Sequence, residues 1–201
     1  MNAKFLTCLF LSSSLVGLTP QESLKELTDG NNRYVMDKLL NADHSQDRRA
    51  TVKQGQNPFA IILSCSDSRV IPEIIFDQST GNLFVVRIAG NVAGAVELES
   101  IEFAAKVFES SMILVLGHES CGAVKAVIQN NTKDIPEIAS LIQPAVKKGK
   151  NLEVAIKANV QSVVDSLKKN PNLQKLIEAK KLDCVGGYYR MKTGKVELLQ
   201  P

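Results

Sequence analysis

Short apolar runs alternate along this chain with longer stretches whose apolar positions recur at helical spacing. Phe59-Ala60-Ile61-Ile62-Leu63, Leu83 to Ile88 and Met112-Ile113-Leu114-Val115-Leu116 are brief and dominated by Ile, Leu and Val, as strands buried on both faces of a parallel sheet are. Leu182 to Met191 and Lys195 to Leu199 predict a terminal hairpin turning at Lys192-Thr193-Gly194. Between the first three runs, Leu98, Ile101, Ala105 and Phe108 mark a crossover helix over 96–108, and Pro72 to Phe76 a shorter one. Further helices are expected over 121–129, 135–148, 152–169 and 171–180. Thr19-Pro20-Gln21-Glu22 opens an N-terminal helix, with Thr19 as cap, Pro20 in the first turn and Glu22 closing a capping box. Asp29-Gly30-Asn31-Asn32 predicts a break of that helix into two. Asn41 to Asn57 reads as a polar loop in which His44 is simply solvated. The expected fold is therefore α/β: a mostly parallel central sheet flanked by helices, with a C-terminal antiparallel hairpin and an N-terminal helical arm. Residues 19–201 form one domain in this reading.

Residues 1–18 stand apart. Phe5 to Leu18 is a mainly apolar stretch of fourteen residues behind a single Lys4, too short for a bilayer span of about twenty residues but the size of a signal-peptide core. Export, to a periplasm in a Gram-negative cell, is one expectation; no Ala-x-Ala cleavage site is present, and an amphipathic arm kept in the cytoplasm also fits. The whole chain has 201 residues, 44% hydrophobic, 22% charged, with a net charge of +3. Its basic pairs are scattered and it has no Trp, so nucleic-acid binding has no support. Four cysteines at uneven spacing do not make a disulfide scaffold. Cys8 and Cys184 read as inert thiols.

The chemistry concentrates in two motifs, Ser64-Cys65-Ser66-Asp67-Ser68-Arg69-Val70 and Gly117-His118-Glu119-Ser120-Cys121-Gly122. Each follows a predicted strand, so both lie at strand carboxyl ends, the ligand-binding edge of an open α/β sheet. Two thiolates and an imidazole suit zinc, and three protein ligands leave one position for water or substrate. Asp67 and Arg69 are spaced for a bidentate pair beside the metal, with Asp67 as proton acceptor or, swung inward, as a fourth ligand. Cys121 opens a helix, where the dipole favours the thiolate. A Cys65 to Cys121 disulfide is the competing account of the pair. Ala89-Gly90-Asn91-Val92-Ala93-Gly94 matches neither a Walker loop nor a dinucleotide fingerprint, and its glycines predict close backbone packing beside the site.

Cys65-x-Asp67-x-Arg69 followed by His118-x-x-Cys121-Gly122 resembles the zinc signature of the β-class carbonic anhydrases. Gln56, Phe84 to Arg87, Ala89-Gly90-Asn91, Gly186 to Tyr189 and Thr193 to Glu197 extend the likeness over roughly Leu24 to Leu199. The resemblance implies a Zn2+ cofactor and reversible hydration of carbon dioxide to bicarbonate by a zinc-bound hydroxide. It also implies an open form and a form in which Asp67 takes the metal. By the same resemblance Gln56 hydrogen-bonds substrate, Phe84 is an apolar wall and the Gly122 N–H meets a bicarbonate oxygen. Some of these reach the zinc of a neighbouring subunit, making the protein a homodimer or homotetramer. Phe103 stands where many plant-type relatives carry Tyr, and Ile88 where they carry Asn. Two other functions stay open at this level: hydrolysis of carbonyl sulfide or carbon disulfide at the same centre, and zinc binding without turnover.

Overall fold

The computed structural model describes residues 17–40, 43–146 and 151–200. The apolar run of 5–16 and Cys8 lie outside them. Five strands form one sheet in the order β2-β1-β3-β4-β5, where β1 is Ala60–Ser64, β2 Leu83–Arg87, β3 Met112–His118, β4 Asp183–Tyr189 and β5 Val196–Leu199. β1 pairs in parallel with both β2 and β3, β3 in parallel with β4, and only the β4–β5 pair is antiparallel. The mostly parallel sheet with a terminal hairpin is as the apolar pattern predicts. From β1 the chain crosses to one neighbour, then returns to the other side for β3. The ends of β1 and β3 thus form the switch point where such sheets bind ligands.

Alternation along β1 divides the core into two layers. Ile61 and Leu63 pack with Ile113, Val115, Ile101, Val160, Val164 and Leu167, under helices α4 (Ala95–Val107), α7 (Leu152–Lys169) and α8 (Pro171–Glu178). Ala60 and Ile62 face the other way, with Leu27, Ile75, Phe76 and Leu114, toward α1 (Pro20–Val35) and α3 (Pro72–Ile75). The remaining helices are α2 (Gln46–Val52), α5 (Gly122–Ile128) and α6 (Pro136–Val146). Cys184 is fully buried on β4, and burial pushes its thiol up to about 12, as an inert packing residue requires. No helix of the described residues is long and apolar enough to cross a membrane.

Two elements depart from the expectations. The helix opened by the Thr19 capping box does not break at Asp29-Gly30-Asn31-Asn32 but runs unbroken to Val35. Tertiary contacts outweigh the local preference: Asn31 donates to the Ile75 and Gly194 carbonyls at 3.1 and 2.8 Å and accepts from the Val196 amide at 2.8 Å. Gly30 lets α1 lie against the Phe76 carbonyl, since a Cβ there would stand 1.8 Å from that oxygen. The polar segment 41–57 carries α2, capped by Ser45 and held by Arg48 donating to the Thr80 carbonyl and the Asn82 side chain, both at 2.8 Å. His44 is exposed there, its Nδ1 2.8 Å from the Thr80 hydroxyl.

The start of α7 is tied to the hairpin by charge. Arg190 donates to both oxygens of Glu153 at 2.8 and 2.7 Å and to Glu197 at 2.9 and 3.1 Å. Arg190 and Lys157 also lie over the Tyr188 ring, 4.8 and 4.9 Å from its centroid. Hydrogen bonds from Arg190 and then Lys157 hold the Glu153 carboxyl down to about 2.

Two outcomes follow. Gly30→Ala gains helix propensity of about 1 kcal/mol yet loses about 2 kcal/mol or more to overpacking, so its urea midpoint falls below wild type. Because Glu153 titrates lower folded than its unfolded value of about 4.3, its contribution is full above that pH and fades as pH falls toward 2. Glu153→Gln is therefore less stable than wild type at pH 6, by at most about 1 kcal/mol for a half-exposed pair. That gap closes in urea titrations near pH 2.

Candidate metal centre

β1 and β3 are neighbours in register Ser64↔Leu116, so Cys65, the first residue past β1, and His118, the last of β3, emerge side by side. Beyond His118 the chain turns through Ser120, a left-handed residue at φ 58°, and presents Cys121 at the start of α5. The Glu119 amide bonds the Tyr189 carbonyl at 2.9 Å and its carboxylate accepts from the Met191 amide at 3.1 Å. Those two bonds anchor the turn to the tip of β4. One sulfur of Cys65, one of Cys121 and one ring nitrogen of His118 converge, with all three ligand atoms within 4.8 Å of one another. All three residues are buried.

His118 Nδ1 lies 2.9 Å from the Glu119 carbonyl, which can only accept, so Nδ1 carries a proton and Nε2 is the ring nitrogen turned into the cluster. Nε2 is buried without a hydrogen-bond partner. An orphaned imidazole nitrogen facing two thiols is costly unless something accepts its lone pair. The donor set of two sulfurs and one imidazole nitrogen fits zinc.

Cys65 and Cys121 are free thiols. The hydrogen bond from Cys121 pulls the Cys65 thiol well below its ordinary range, and the Gly90 amide, 3.3 Å from the sulfur, acts the same way against burial. Cys121, donating in that bond and fully buried, is pushed up despite the helix amides of Ala123 and Val124. The helix start alone does not make Cys121 a thiolate, since contact with a second sulfur outweighs it; a bound cation favours both thiolates.

Asp67 and Arg69 sit at the rim. Arg69 Nε donates to Asp67 Oδ1 at 2.9 Å and Nη2 to Oδ2 at 2.8 Å, while the Arg69 amide bonds Oδ1 at 3.0 Å. The bidentate guanidinium holds the Asp67 carboxyl far below the usual carboxylate range. Asp67 Oδ2 is 4.0 Å from His118 Nε2. Arg87, at the end of β2, clamps the same loop, donating to the Asp67 carbonyl at 2.7 Å and the Cys65 carbonyl at 3.3 Å.

The carbonic anhydrase family profile matches residues 60–196, the segment that contains every element of this cluster. The chain belongs to the β-class carbonic anhydrases. It is 35% identical over 191 residues to a carbonic anhydrase of Mycolicibacterium smegmatis, covering 89% of this chain and 93% of that one. Over 109 residues it is 48% identical to carbonic anhydrase 2 of Mycobacterium tuberculosis, covering 54% and 53% of the two chains. Among solved structures it is similar to the β-carbonic anhydrase CcaA, at TM-score 0.69 and 25% identity over 89% of this chain and 99% of that one. It shares its fold with tetrameric β-carbonic anhydrases of Sordaria macrospora, at TM-score 0.64 and 19% identity over 90% and 98%.

Of the other residues named from this family's likeness, Gln56 and Phe84 lie outside the cluster of sulfurs and imidazole, while Gly122 adjoins Cys121 and Ile88 packs against the layer that holds both cysteines. Gln56 is exposed in the loop before β1. Phe84 packs in the layer beneath α4, its ring 5.9 Å from that of Phe108. Phe103, half exposed on α4, meets Phe108 edge-on at 5.5 Å, while Ile88 is an apolar packing residue. Gly122 is exposed at the first position of α5, with open space where a Cβ would be. The clamp by Arg87 escaped the sequence reading because it depends on the register Ser64↔Arg87. The stretch Phe84 to Arg87 carried the only signal.

Removing one donor leaves two, too few for a closed tetrahedral site. Purified wild type is therefore expected to hold one zinc per chain by metal analysis, and Cys65→Ser, His118→Ala and Cys121→Ser each to lose it on dialysis against a chelator.

Proposed function

We propose that this β-class carbonic anhydrase catalyses the reversible hydration of carbon dioxide to bicarbonate and a proton at a zinc held by Cys65, His118 and Cys121. The observation that carries this reading is the buried, partnerless His118 Nε2 facing two thiols beside a carboxylate fixed from its far side. Zinc held there supplies a Lewis acid that brings the pKa of water from 15.7 to about 7.

The chain's own residues supply the rest. Arg69 and Arg87 hold the Asp67 loop from two directions, the first through the carboxylate and the second through backbone carbonyls. Asp67 Oδ2, the oxygen recorded 4.0 Å from Nε2, stays ionised and accepts the hydrogen bond of the attacking water. This directs its free lone pair toward carbon dioxide. The intact Asp67–Arg69 pair supports the arrangement in which Asp67 orients water; breaking it would free the carboxylate to act as a fourth ligand. The exposed position of Gly122 at the start of α5 supports a role for its N–H as partner of a product oxygen.

Gln56 and Phe84 serve as substrate amide and apolar wall only if a second copy brings them to this centre. An oligomer, homodimeric or homotetrameric, is supported by the exposed apolar residues Val96, Phe103 and Val107 along α4, at 71%, 51% and 56%, next to the edge strand β2. The tetrameric Sordaria macrospora relatives agree with it. Export remains the reading for residues 1–18, on their apolar run alone, and sequencing the N-terminus of the mature protein tests it.

Stopped-flow hydration assays with metal analysis on the same samples test the catalytic reading. Wild type is expected to be active and Asp67→Asn to keep its zinc while losing about 10²-fold in kcat, the size a misplaced reacting group costs. Fully zinc-loaded wild type that is inert from about pH 7 to 9, around the expected water pKa, would overturn it.

A further inference from the structure

The face that α7 turns to the sheet is apolar, built from Ala155, Ile156, Val160, Val163, Val164 and Leu167. It is interrupted once, by Asn159, which is fully buried. An amide in such surroundings is costly unless hydrogen-bonded. Asn159 makes one recorded bond, from Nδ2 to the Gly90 carbonyl at 2.8 Å, and its Oδ1 is buried without a partner. The position keeps a polar group for the sake of that single donor.

The carbonyl it reaches belongs to an unusual turn. Ala89–Asn91 forms a short 3-10 segment after β2 in which Gly90 and Asn91 both have positive φ, 75° and 46°. Two consecutive left-handed residues persist only where their surroundings fix them. Asn91 does not fix the turn through its own amide, both polar atoms of which are buried and unpaired. Ile142 closes over Gly90, its Cδ1 2.7 Å from where a Cβ would stand, and supplies packing without direction. Within the turn the Asn91 amide bonds the Ile88 carbonyl at 3.0 Å; the directed contact from outside the turn is the one from Asn159. On the opposite side of the same residue, the Gly90 N–H donates to Cys65 Sγ at 3.3 Å.

We propose that Asn159 is a positioning residue of the metal centre: by holding the Gly90 carbonyl it aims the Gly90 N–H at Cys65 Sγ and sets how strongly that sulfur donates to the metal. The inference rests on Cys65 being a metal ligand. An N–H···S bond stabilises charge on the thiolate, and partners one step removed from a metal control its affinity. Without Asn159 the turn keeps its packing but loses its direction, and the sulfur loses its donor.

The test uses Asn159→Leu, which keeps the branched shape of the side chain and suits the apolar face. It removes an unpaired buried oxygen but leaves the buried Gly90 carbonyl without its partner, so the fold is expected to survive with a lowered melting temperature. Two readouts then decide: the rate of zinc loss to a chelator, and the thiolate-to-cobalt charge-transfer band of the cobalt-substituted protein. Zinc loss is expected to quicken by about 10- to 100-fold, and the band to move to longer wavelength, because a thiolate without its N–H donor is more easily oxidised. A folded variant with the wild-type band and release rate overturns the proposal, whatever its melting temperature. Should Asn159→Leu not fold, Asn159→Ser, whose hydroxyl is too short to span the gap, is read by the same two measurements. Wild type lacking any thiolate-to-cobalt band would instead overturn the zinc reading itself, which separates the two failures.

Discussion

The parallel ladder between β1 and β3 is the constraint on which the rest of the molecule depends. It fixes Ser64 beside Leu116 and so brings Cys65 and His118, separated by more than fifty residues of chain, to the same edge of the sheet. Hydrogen bonds of a buried ladder shift only in whole-residue steps that would turn every side chain to the opposite face. Because β1 and β3 are buried along their length, such a slip is forbidden, and the separation of the ligands is inherited from the core. The two layers that cover the sheet therefore fix the metal site as well as the fold.

Around that fixed pair the loops solve an electrostatic problem. Two sulfurs and an imidazole nitrogen are gathered out of solvent, where two thiols in contact resist ionising together: one is pulled down and the other pushed up. A divalent cation removes the conflict, since it favours both thiolates and takes the lone pair that His118 Nε2 offers to nothing else among the described residues. Asp67 is treated differently. It is kept at the rim, ionised and held on its far side by Arg69, so that its charge bears on the cluster without being bound into it. Arg87 adds a cation where the loop leaves β1 and fastens the backbone that carries both Cys65 and Asp67.

The sheet is where sequence and structure agree best, because β1, β2 and β3 are short runs of Ile, Leu and Val with little helical periodicity. The cysteine, histidine and aspartate motifs follow those strands directly, so their place at the carboxyl edge was readable as soon as the strands were. Agreement fails where distant contacts overrule local preference. Asp29-Gly30-Asn31-Asn32 carries every local mark of a break, yet Asn31 bridges to α3 and to the hairpin, and the helix continues. The polar stretch before β1 carries α2, held by Arg48 reaching the turn that precedes β2.

By itself the sequence determined the strand-forming runs, the ends at which reactive side chains emerge, and a donor set of two sulfurs and an imidazole that only a soft or borderline cation suits. These are local properties: spacing, composition and ligand chemistry are written in consecutive residues. The tertiary structure alone decided which strands are neighbours, which nitrogen of His118 is left unbonded, which sulfur accepts the Gly90 amide, and which of Gln56 and Phe84 one chain can bring to its own centre. It brings neither. Those outcomes depend on register and on the packing of α7 over the sheet, which arise between segments far apart in the chain and have no trace in any one of them.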